Sequence, residues 1–151
     1  MPAKTFQSHF ESAETHFQEG RYDEAQSEYE KALALNPNSV EALIGLGCAL
    51  LNKGLLGEAE ERLRKATTLA PDNAHAHFYL GNVYDDVGKN ELALQTIEKA
   101  IALKPDFAEA YLALGFIYYR LGNRAKVVEL YETLSRLEPS LAEQLRKLIE
   151  L

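Results

Sequence analysis

Histidine is the residue type that most readily binds a metal or transfers a proton near neutral pH, and this chain contains four histidines. His75 and His77 lie two positions apart, so on a helix they point to different faces and cannot chelate one ion. His9 and His16 share a helical face, but without nearby acidic ligands we expect them to serve packing or surface roles. The histidines therefore predict no metal and no cofactor.

The other reactive side chains give no catalytic pattern either. Cys48 is the single cysteine, and without a histidine at helical spacing it is expected to be a buried or groove-lining structural thiol. Asp85 and Asp86 are adjacent, so on a helix their carboxylates diverge and a solvated edge is expected. The stretch Gly45-Leu46-Gly47 lacks the third glycine of a phosphate-binding loop. We therefore predict that the protein is not an enzyme.

The net charge of -7 limits the classes of partner. An acidic chain without basic clusters is poorly suited to nucleic acid or to anionic membrane surfaces, and this favours neutral-to-basic or amphipathic protein partners. The amino-terminal sequence lacks the apolar core of a secretion signal, and no apolar run approaches membrane-spanning length. We expect a soluble, cytoplasmic protein that does not insert into a membrane.

The elements that position these side chains recur with a fixed period. Prolines stand at Pro37, Pro71, Pro105 and Pro139, and glycines at Gly20, Gly54, Gly88 and Gly122, so each step is 34 residues. A third position holds only small residues, namely Ala13, Gly47, Gly81 and Gly115. Such a period indicates a tandem array of one unit.

Glycine inside a helix costs about 1 kcal/mol relative to alanine, so the glycines of that third position need a structural reason. We attribute them to a close approach of the two helices in each unit, with Ala59 or Ala93 facing the glycine. A side chain at Gly81 should then overpack the contact.

The best copies of the unit resemble the tetratricopeptide repeat (TPR). Residues 110–118, Ala-Tyr-Leu-Ala-Leu-Gly-Phe-Ile-Tyr, have the aromatic residue, Leu-Gly pair and tyrosine of that family's first helix. Ala59, Leu63 and Ala66, followed by Pro71, match its second helix. The resemblance implies an all-α, right-handed α-solenoid of antiparallel helix pairs. It also implies a binding scaffold, because the family shares no chemistry.

We predict a single array over residues 1–151, with repeats at about 6–39, 40–73, 74–107 and 108–141 and an end helix over about 140–151. The predicted helices are 4–19, 24–35, 39–53, 57–69, 73–87, 91–103, 107–121, 124–137 and 140–151. The first helix carries Ser8, Ser12 and Thr15 on a face that no earlier repeat would cover, as a terminal unit requires.

The fourth repeat departs from the pattern of the first three. Val127 and Leu134 stand where the other repeats have alanine, so this pair should be spaced more widely. Leu134 is expected to face outward, toward the next segment of the chain. That segment contains an apolar stripe of Leu141, Leu145 and Leu148, which resembles the family's solvating end helix.

The resemblance implies that the first helix of each pair lines a concave face where a partner binds. Five positions per repeat are carried over to this groove: Gln7, Phe10, Glu14, Phe17 and Gln18; Glu41, Ile44, Cys48, Leu51 and Asn52; His75, Phe78, Asn82, Asp85 and Asp86; Glu109, Leu112, Phe116, Tyr119 and Arg120. In this interpretation the groove accepts an amphipathic or extended segment.

The apolar anchors of the groove would be Leu51, Phe78, Phe116 and Tyr119, and the residues selecting basic groups would be Glu41, Asp85 and Asp86. An alternative is that Phe10, Phe78 and Phe116 only fill gaps between neighbouring first helices. Asn82 is suited to hydrogen-bonding a ligand backbone, and a water-exposed role is the alternative.

One subclass of the family binds the carboxyl-terminal carboxylate of chaperones through groove lysines and an arginine. Here the lysine positions hold Phe10 or Ile44, and the arginine position holds Tyr79 or Ala113. Anion capture needs convergent donors, so this subclass is disfavoured.

The predicted function is a protein-interaction scaffold or adaptor that binds a peptide or helical segment in its groove. Two alternatives remain open. The first is homo-oligomerisation through Phe6, Phe10 and Phe17 at one end or through the end helix at the other. The second is an accessory domain of a larger complex or enzyme.

Overall fold

The computed structural model describes residues 2–150, and these form nine α-helices without a β-strand. The helices are α1 Phe6–Gln18, α2 Tyr22–Leu35, α3 Val40–Asn52, α4 Leu56–Leu69, α5 Ala74–Asp86, α6 Asn90–Leu103, α7 Ala108–Arg120, α8 Arg124–Leu137 and α9 Pro139–Ile149. The first eight begin and end within two residues of their predicted bounds, and α9 begins one residue early. Leu151, the last residue of the predicted end helix, lies outside the described residues. The predicted all-α fold is confirmed.

The recurring glycines end the first helix of each pair. Their φ angles lie between 73° and 80°, at Gly20, Gly54, Gly88 and Gly122. Residues with a Cβ atom disfavour this left-handed backbone conformation, whereas glycine adopts it without strain. After α1, the N–H of Gly20 donates to the Phe17 carbonyl at 3.0 Å and the N–H of Arg21 donates to the His16 carbonyl at 2.9 Å. These two bonds form a Schellman motif, which stops the helix and lets the next one return antiparallel.

Polar N-caps begin the first helix of the first three pairs. Thr5, Ser39 and Asn73 each accept a hydrogen bond from the backbone N–H three residues later, at 3.0 to 3.2 Å. In the fourth pair the same position holds Phe107, which makes no side-chain cap. Phe107 is buried, and its ring centroid lies 4.8 Å from that of Phe78. The fourth pair thus has an apolar contact with α5 in place of the cap.

The array curves toward its first helices. The two helices of each pair pack together, and each second helix packs on the next first helix. First helices also contact their neighbours, α1 with α3, α3 with α5 and α5 with α7, whereas the second helices within residues 2–150 do not contact one another. Neighbouring pairs are therefore closer on the first-helix side, and α1, α3, α5 and α7 line a concave face.

The predicted close approach at the mid-helix glycines is present, although other residues make it. A Cβ atom at Gly47 would lie 2.6 Å from Cγ of Leu63, and one at Gly81 would lie 2.4 Å from Cγ1 of Ile97. Both covering side chains are fully buried. The atoms nearest to the glycines belong to large apolar side chains one turn further along α4 and α6 than the alanines named from the sequence.

In the fourth pair the covering residue comes from the end helix. A Cβ atom at Gly115 would lie 2.5 Å from Cδ2 of Leu145 in α9. Leu134 is fully buried in one cluster with Ala142 and Leu145, so its predicted outward face is covered by α9. The helix α9 packs on both α7 and α8. It therefore closes the apolar seam of the fourth pair.

A buried carboxylate joins α1 to α2. Glu28 in α2 accepts from His9 in α1, with Nδ1 and Oε2 2.7 Å apart, and from Lys31 Nζ at 2.7 Å. The hydrogen bond from His9 and then that from Lys31 lower the pKa of Glu28 to about 2. The sequence prediction that His9 has no acidic neighbour was wrong, because Glu28 lies on the other helix of the pair.

Candidate functional site

The predicted groove positions differ in how far their side chains are exposed to solvent. Two positions are exposed in every repeat: Gln7, Glu41, His75 and Glu109, and Gln18, Asn52, Asp86 and Arg120. The other three are half-buried at Phe10, Glu14, Phe17, Ile44, Leu51, Asn82, Asp85 and Leu112, buried at Cys48 and Phe78, and exposed at Phe116 and Tyr119. The concave face thus offers a partly apolar surface bordered by polar side chains.

The amino-terminal half of the concave face contains a pocket of about 400 Å³ between α1, α3 and α5. It is called the acidic pocket below, and its lining consists of Phe10, Glu14, Phe17, Tyr29, Glu41, Ile44, Gly45, Cys48, Asn73, His75 and Tyr79. Binding sites for small ligands and single side chains commonly fall in the range of roughly 300 to 1,000 Å³. Seven predicted groove residues meet here, from three repeats.

Tyr29 forms the base of the acidic pocket because Gly45 leaves room for its ring. A Cβ atom at Gly45 would lie 2.4 Å from Cε1 and Cζ of Tyr29. The ring therefore passes directly over α3, and its hydroxyl donates a hydrogen bond to Glu14 Oε1 in α1. The ring of Phe10 packs edge-on against Tyr29 with centroids 6.1 Å apart. These contacts fix the position of the Glu14 carboxylate.

The thiol and phenols of the acidic pocket are neutral at physiological pH. Burial, with a contribution from the Glu14 charge, raises the pKa of Cys48 to about 12. Burial also raises the pKa of Tyr79 and, together with the hydrogen bond to Glu14, that of Tyr29. Negative charge in the pocket is therefore carried by the carboxylates of Glu14 and Glu41.

Neither carboxylate of the pocket is paired with a lysine or arginine in the part of the chain that the structure describes. Among residues 2–150, neither Glu14 nor Glu41 forms an ion pair with a lysine or arginine, and neither residue type lines the pocket. His75 is the one lining residue that could carry a positive charge, and its ring lies 4.8 Å from the Phe107 ring. The pocket thus combines apolar walls with uncompensated negative charge.

The carboxy-terminal half of the concave face has a different character. The Arg120 guanidinium of α7 forms an ion pair with the Asp85 carboxylate of α5. Burial and the nearby Asp85 charge raise the pKa of Asp86, and Arg120 opposes this effect. Phe116 is 36% and Tyr119 43% exposed, which is high for aromatic side chains. This half therefore presents apolar groups beside an internally neutralised acid.

Several predicted groove residues have structural contacts that limit their availability. Phe78 is buried against Phe107 and Tyr79, so it fills the gap between first helices as the alternative interpretation held. Asn52 Nδ2 donates to the Cys48 carbonyl of its own helix at 2.9 Å. Phe78 thus belongs to the packing between repeats, and the accessible aromatic side chains lie one repeat further along.

No group of three or more His, Cys, Asp or Glu side chains in residues 2–150 could hold a metal ion. His77 Nε2 lies 2.8 Å from the Pro71 carbonyl oxygen, and His75 packs against Phe107. Of the helices in this part of the chain, none has the length and apolar character needed to cross a bilayer.

Four residues of the acidic pocket lie outside the predicted set of groove residues: Tyr29, Gly45, Asn73 and Tyr79. Tyr29 belongs to a second helix, whereas the predicted groove uses only first helices. Gly45 could have been noticed, because it is a mid-helix glycine outside the 34-residue pattern. Its partner, on the second helix of the preceding repeat, could not be read from the sequence.

Comparison with known families gives matches over most of the chain. Two tetratricopeptide repeat models match residues 16–80 and 108–141, and a TPR repeat model matches residues 86–122. The family resemblance drawn from the sequence is confirmed. No curated protein matches the chain significantly.

Solved structures agree with the family matches. A thermophilic TPR protein of Thermus thermophilus is 27% identical with a TM-score of 0.85, covering 95% of this chain and 81% of that one. MamA from Desulfovibrio magneticus RS-1 is 26% identical with a TM-score of 0.80, covering 89% and 76%. A mutant O-GlcNAc transferase of Thermobaculum terrenum is 26% identical with a TM-score of 0.83, covering 90% of this chain but 27% of that one.

Proposed function

Because the chain belongs to the tetratricopeptide repeat family, we propose that it is a non-catalytic scaffold that binds a peptide or helical segment of a partner protein along its concave face. The partner segment is neutral to basic, or amphipathic. The family is a scaffold for protein–protein interaction, and function in such a scaffold is located on its surface rather than in the fold itself.

The observation that carries this proposal is the exposed apolar surface of α7 within a concave face. Phe116 and Tyr119 are one turn apart and both accessible. Aromatic side chains exposed in a concavity are typical of the anchors of protein interfaces. Grooves that bind an amphipathic helix or an extended strand contact it through such anchors at regular spacing.

We base the proposed absence of catalysis on the protonation and the hydrogen-bond partners of the reactive groups. Cys48 is buried and its pKa is raised to about 12, so at neutral pH it is a protonated thiol and a poor nucleophile. The carboxylate of Glu14 accepts from Tyr29, and no histidine lies among its hydrogen-bond partners in the described residues. None of the histidine hydrogen bonds in the described residues involves the Cys48 thiol, so that nucleophile lacks an imidazole base.

Two alternatives retain some support. Phe6 and Phe10 stack at the amino-terminal end of the array with ring centroids 5.8 Å apart, which offers an apolar end to a second copy. The match to 27% of an O-GlcNAc transferase chain supports a role as one part of a larger enzyme. Light scattering over a range of protein concentrations tests the first alternative, since a constant monomer mass would exclude it.

The groove itself is tested with peptides selected from a random phage-displayed library on the wild-type chain. The variant Phe116→Glu with Tyr119→Glu should weaken the selected peptides about tenfold or more in fluorescence anisotropy, because apolar anchors are replaced by charges. The matched control is Leu35→Glu with Leu69→Glu, which changes two exposed apolar residues on second helices. Failure to select any peptide, or equal binding by all three proteins, would contradict the proposed function.

A further inference from the structure

We infer that the acidic pocket is the subsite for a lysine or arginine side chain on the bound partner segment. This inference rests on the proposed function, because it assigns one contact within the concave face. It names the chemistry of that contact: a positively charged group at the end of an aliphatic stem.

Charge is the first reason for this occupant. Glu14 and Glu41 line the pocket without a lysine or arginine partner among residues 2–150. Asp85, in the other half of the concave face, is already neutralised by Arg120. A cation arriving on a partner can therefore pair with the carboxylates of the acidic pocket without breaking an ion pair of the chain.

The walls of the pocket are the second reason. Phe10, Phe17 and Ile44 supply an apolar lining beside the carboxylates. Lysine and arginine side chains pack their methylene stems on apolar surface and keep the charged group at a polar end. The volume of about 400 Å³ is sufficient for such a side chain together with some water.

Other occupants fit less well. A wholly apolar side chain would remove water from Glu14 without offering it a partner, and unpaired burial of a carboxylate is costly. An acidic side chain would be repelled by both carboxylates. The Cys48 thiol and the Tyr79 phenol are neutral, so they add no cation to offset this repulsion.

Glu14 is also preorganised for the contact. One carboxylate oxygen accepts from the Tyr29 hydroxyl, which holds the group in place and leaves the other oxygen for a ligand. A glutamine at this position keeps an acceptor for Tyr29 while removing the charge. Glu14→Gln therefore tests the charge with little change in packing.

The experiment uses a positional scanning peptide library, in which one position at a time is fixed to a chosen amino acid and the others are random. The wild-type chain should retain libraries with lysine or arginine fixed at one position more strongly than those with glutamate, leucine or alanine. The Glu14→Gln, Glu41→Gln double variant should lose this preference. The control Glu24→Gln, Glu58→Gln changes the net charge equally on the second helices and should keep it.

A soluble probe then measures the size of the effect. The best lysine or arginine peptide is labelled with fluorescein and compared with the same peptide carrying acetyl-lysine or citrulline at that position. Hydrogen bonds to charged groups have magnitudes that correspond to about a tenfold to hundredfold change in affinity. The wild-type chain should show that difference, and the Glu14→Gln, Glu41→Gln variant should bind both peptides about equally.

The outcomes separate the two proposals. Peptide binding without a basic preference, or a basic preference that survives in the Glu14→Gln, Glu41→Gln variant, would overturn the acidic-pocket inference and leave the groove function standing. An equal loss in the Glu24→Gln, Glu58→Gln control would show a general charge effect and also overturn it. No retention of any library by the wild-type chain would count against both.

Discussion

Replacement of Gly81 by alanine tests how closely α5 and α6 pack. The added Cβ would lie 2.4 Å from Cγ1, 3.2 Å from Cδ1 and 3.3 Å from the backbone nitrogen of Ile97. Carbon atoms in contact prefer about 3.5 to 4.0 Å, so a gap of more than about 1 Å has to open. Ile97 is fully buried, and its β-branched side chain is stiff, so it cannot step aside freely.

Two opposing effects determine the expected magnitude. Overpacking of a tight core costs about 1 to 3 kcal/mol, whereas replacing a helical glycine by alanine recovers about 1 kcal/mol. We expect Gly81→Ala to lower the free energy of unfolding by up to about 2 kcal/mol. For a chain of this length, that loss corresponds to a fall in Tm of up to about 8 °C.

The measurement is thermal and urea unfolding followed by far-ultraviolet circular dichroism. The matched control is Gly57→Ala, because Gly57 is exposed in α4 and a Cβ there would meet nothing within 4 Å. This control should raise the stability by up to about 1 kcal/mol. The same chemical change should thus have opposite signs at the two glycines.

A double-mutant cycle with Ile97→Ala identifies the contact itself. Ile97→Ala should cost about 2 to 5 kcal/mol by leaving a cavity. Gly81→Ala added to that background should be neutral or stabilising, since the atom it would strike is gone. If Gly81→Ala stabilises the wild-type chain as Gly57→Ala does, or costs the same with and without Ile97, the close-contact explanation is wrong.

Three further predictions concern the first repeats. Gly45→Ala should displace the Tyr29 ring from over α3 and lower Tm by several degrees through overpacking of about 1 to 3 kcal/mol, and unchanged stability would contradict the stacked geometry. The pKa of Glu28 is lowered to about 2, so its contribution to stability is present above about pH 4.5 and is lost as pH falls toward 2; Glu28→Gln should flatten this part of a Tm-against-pH curve. Cys48 should react with a thiol reagent at pH 8 at least about a hundredfold more slowly in the folded chain than in guanidinium, because its pKa is raised to about 12, and comparable rates would show an accessible thiolate.

Much of the fold can be predicted from the period of the sequence. The glycines with positive φ and the prolines recur every 34 residues, and they fix where helices end. The apolar stripes fix which faces are buried. What the period could not supply was the partner of each small residue, since Gly47 and Gly81 are covered by Leu63 and Ile97 rather than by the neighbouring alanines. Which side chain reaches across a helix pair depends on side-chain length and direction, which sequence spacing does not encode.

The candidate site is harder to predict because it arises where the repeats differ from one another. At the position of Gly45 the other repeats have glutamate, tyrosine and alanine, and at the position of Tyr29 the next two have leucine and isoleucine. Neither residue is unusual alone. Only their juxtaposition brings a phenol across α3 to hold Glu14 and thereby forms an acidic pocket.

Phe107 illustrates the same principle at the next interface. It stands in an N-cap position, where polar residues begin the other first helices, and the lost cap places an aromatic ring over Phe78. Phe78, which the repeat period assigns to the groove, is therefore buried in the core. The aromatic side chains that remain exposed to a partner are Phe116 and Tyr119. Repetition therefore predicts which positions face the groove, while departures from repetition decide which of them a partner can contact. Phe107→Asn tests this directly, since it should restore an N-cap of about 1 kcal/mol and raise the exposure of Phe78 to a ligand. It should also remove an apolar contact of about 3 to 5 kcal/mol, so we expect a net loss of stability of about 2 to 4 kcal/mol. An unchanged Tm in that variant would contradict the assignment of Phe107 to the core.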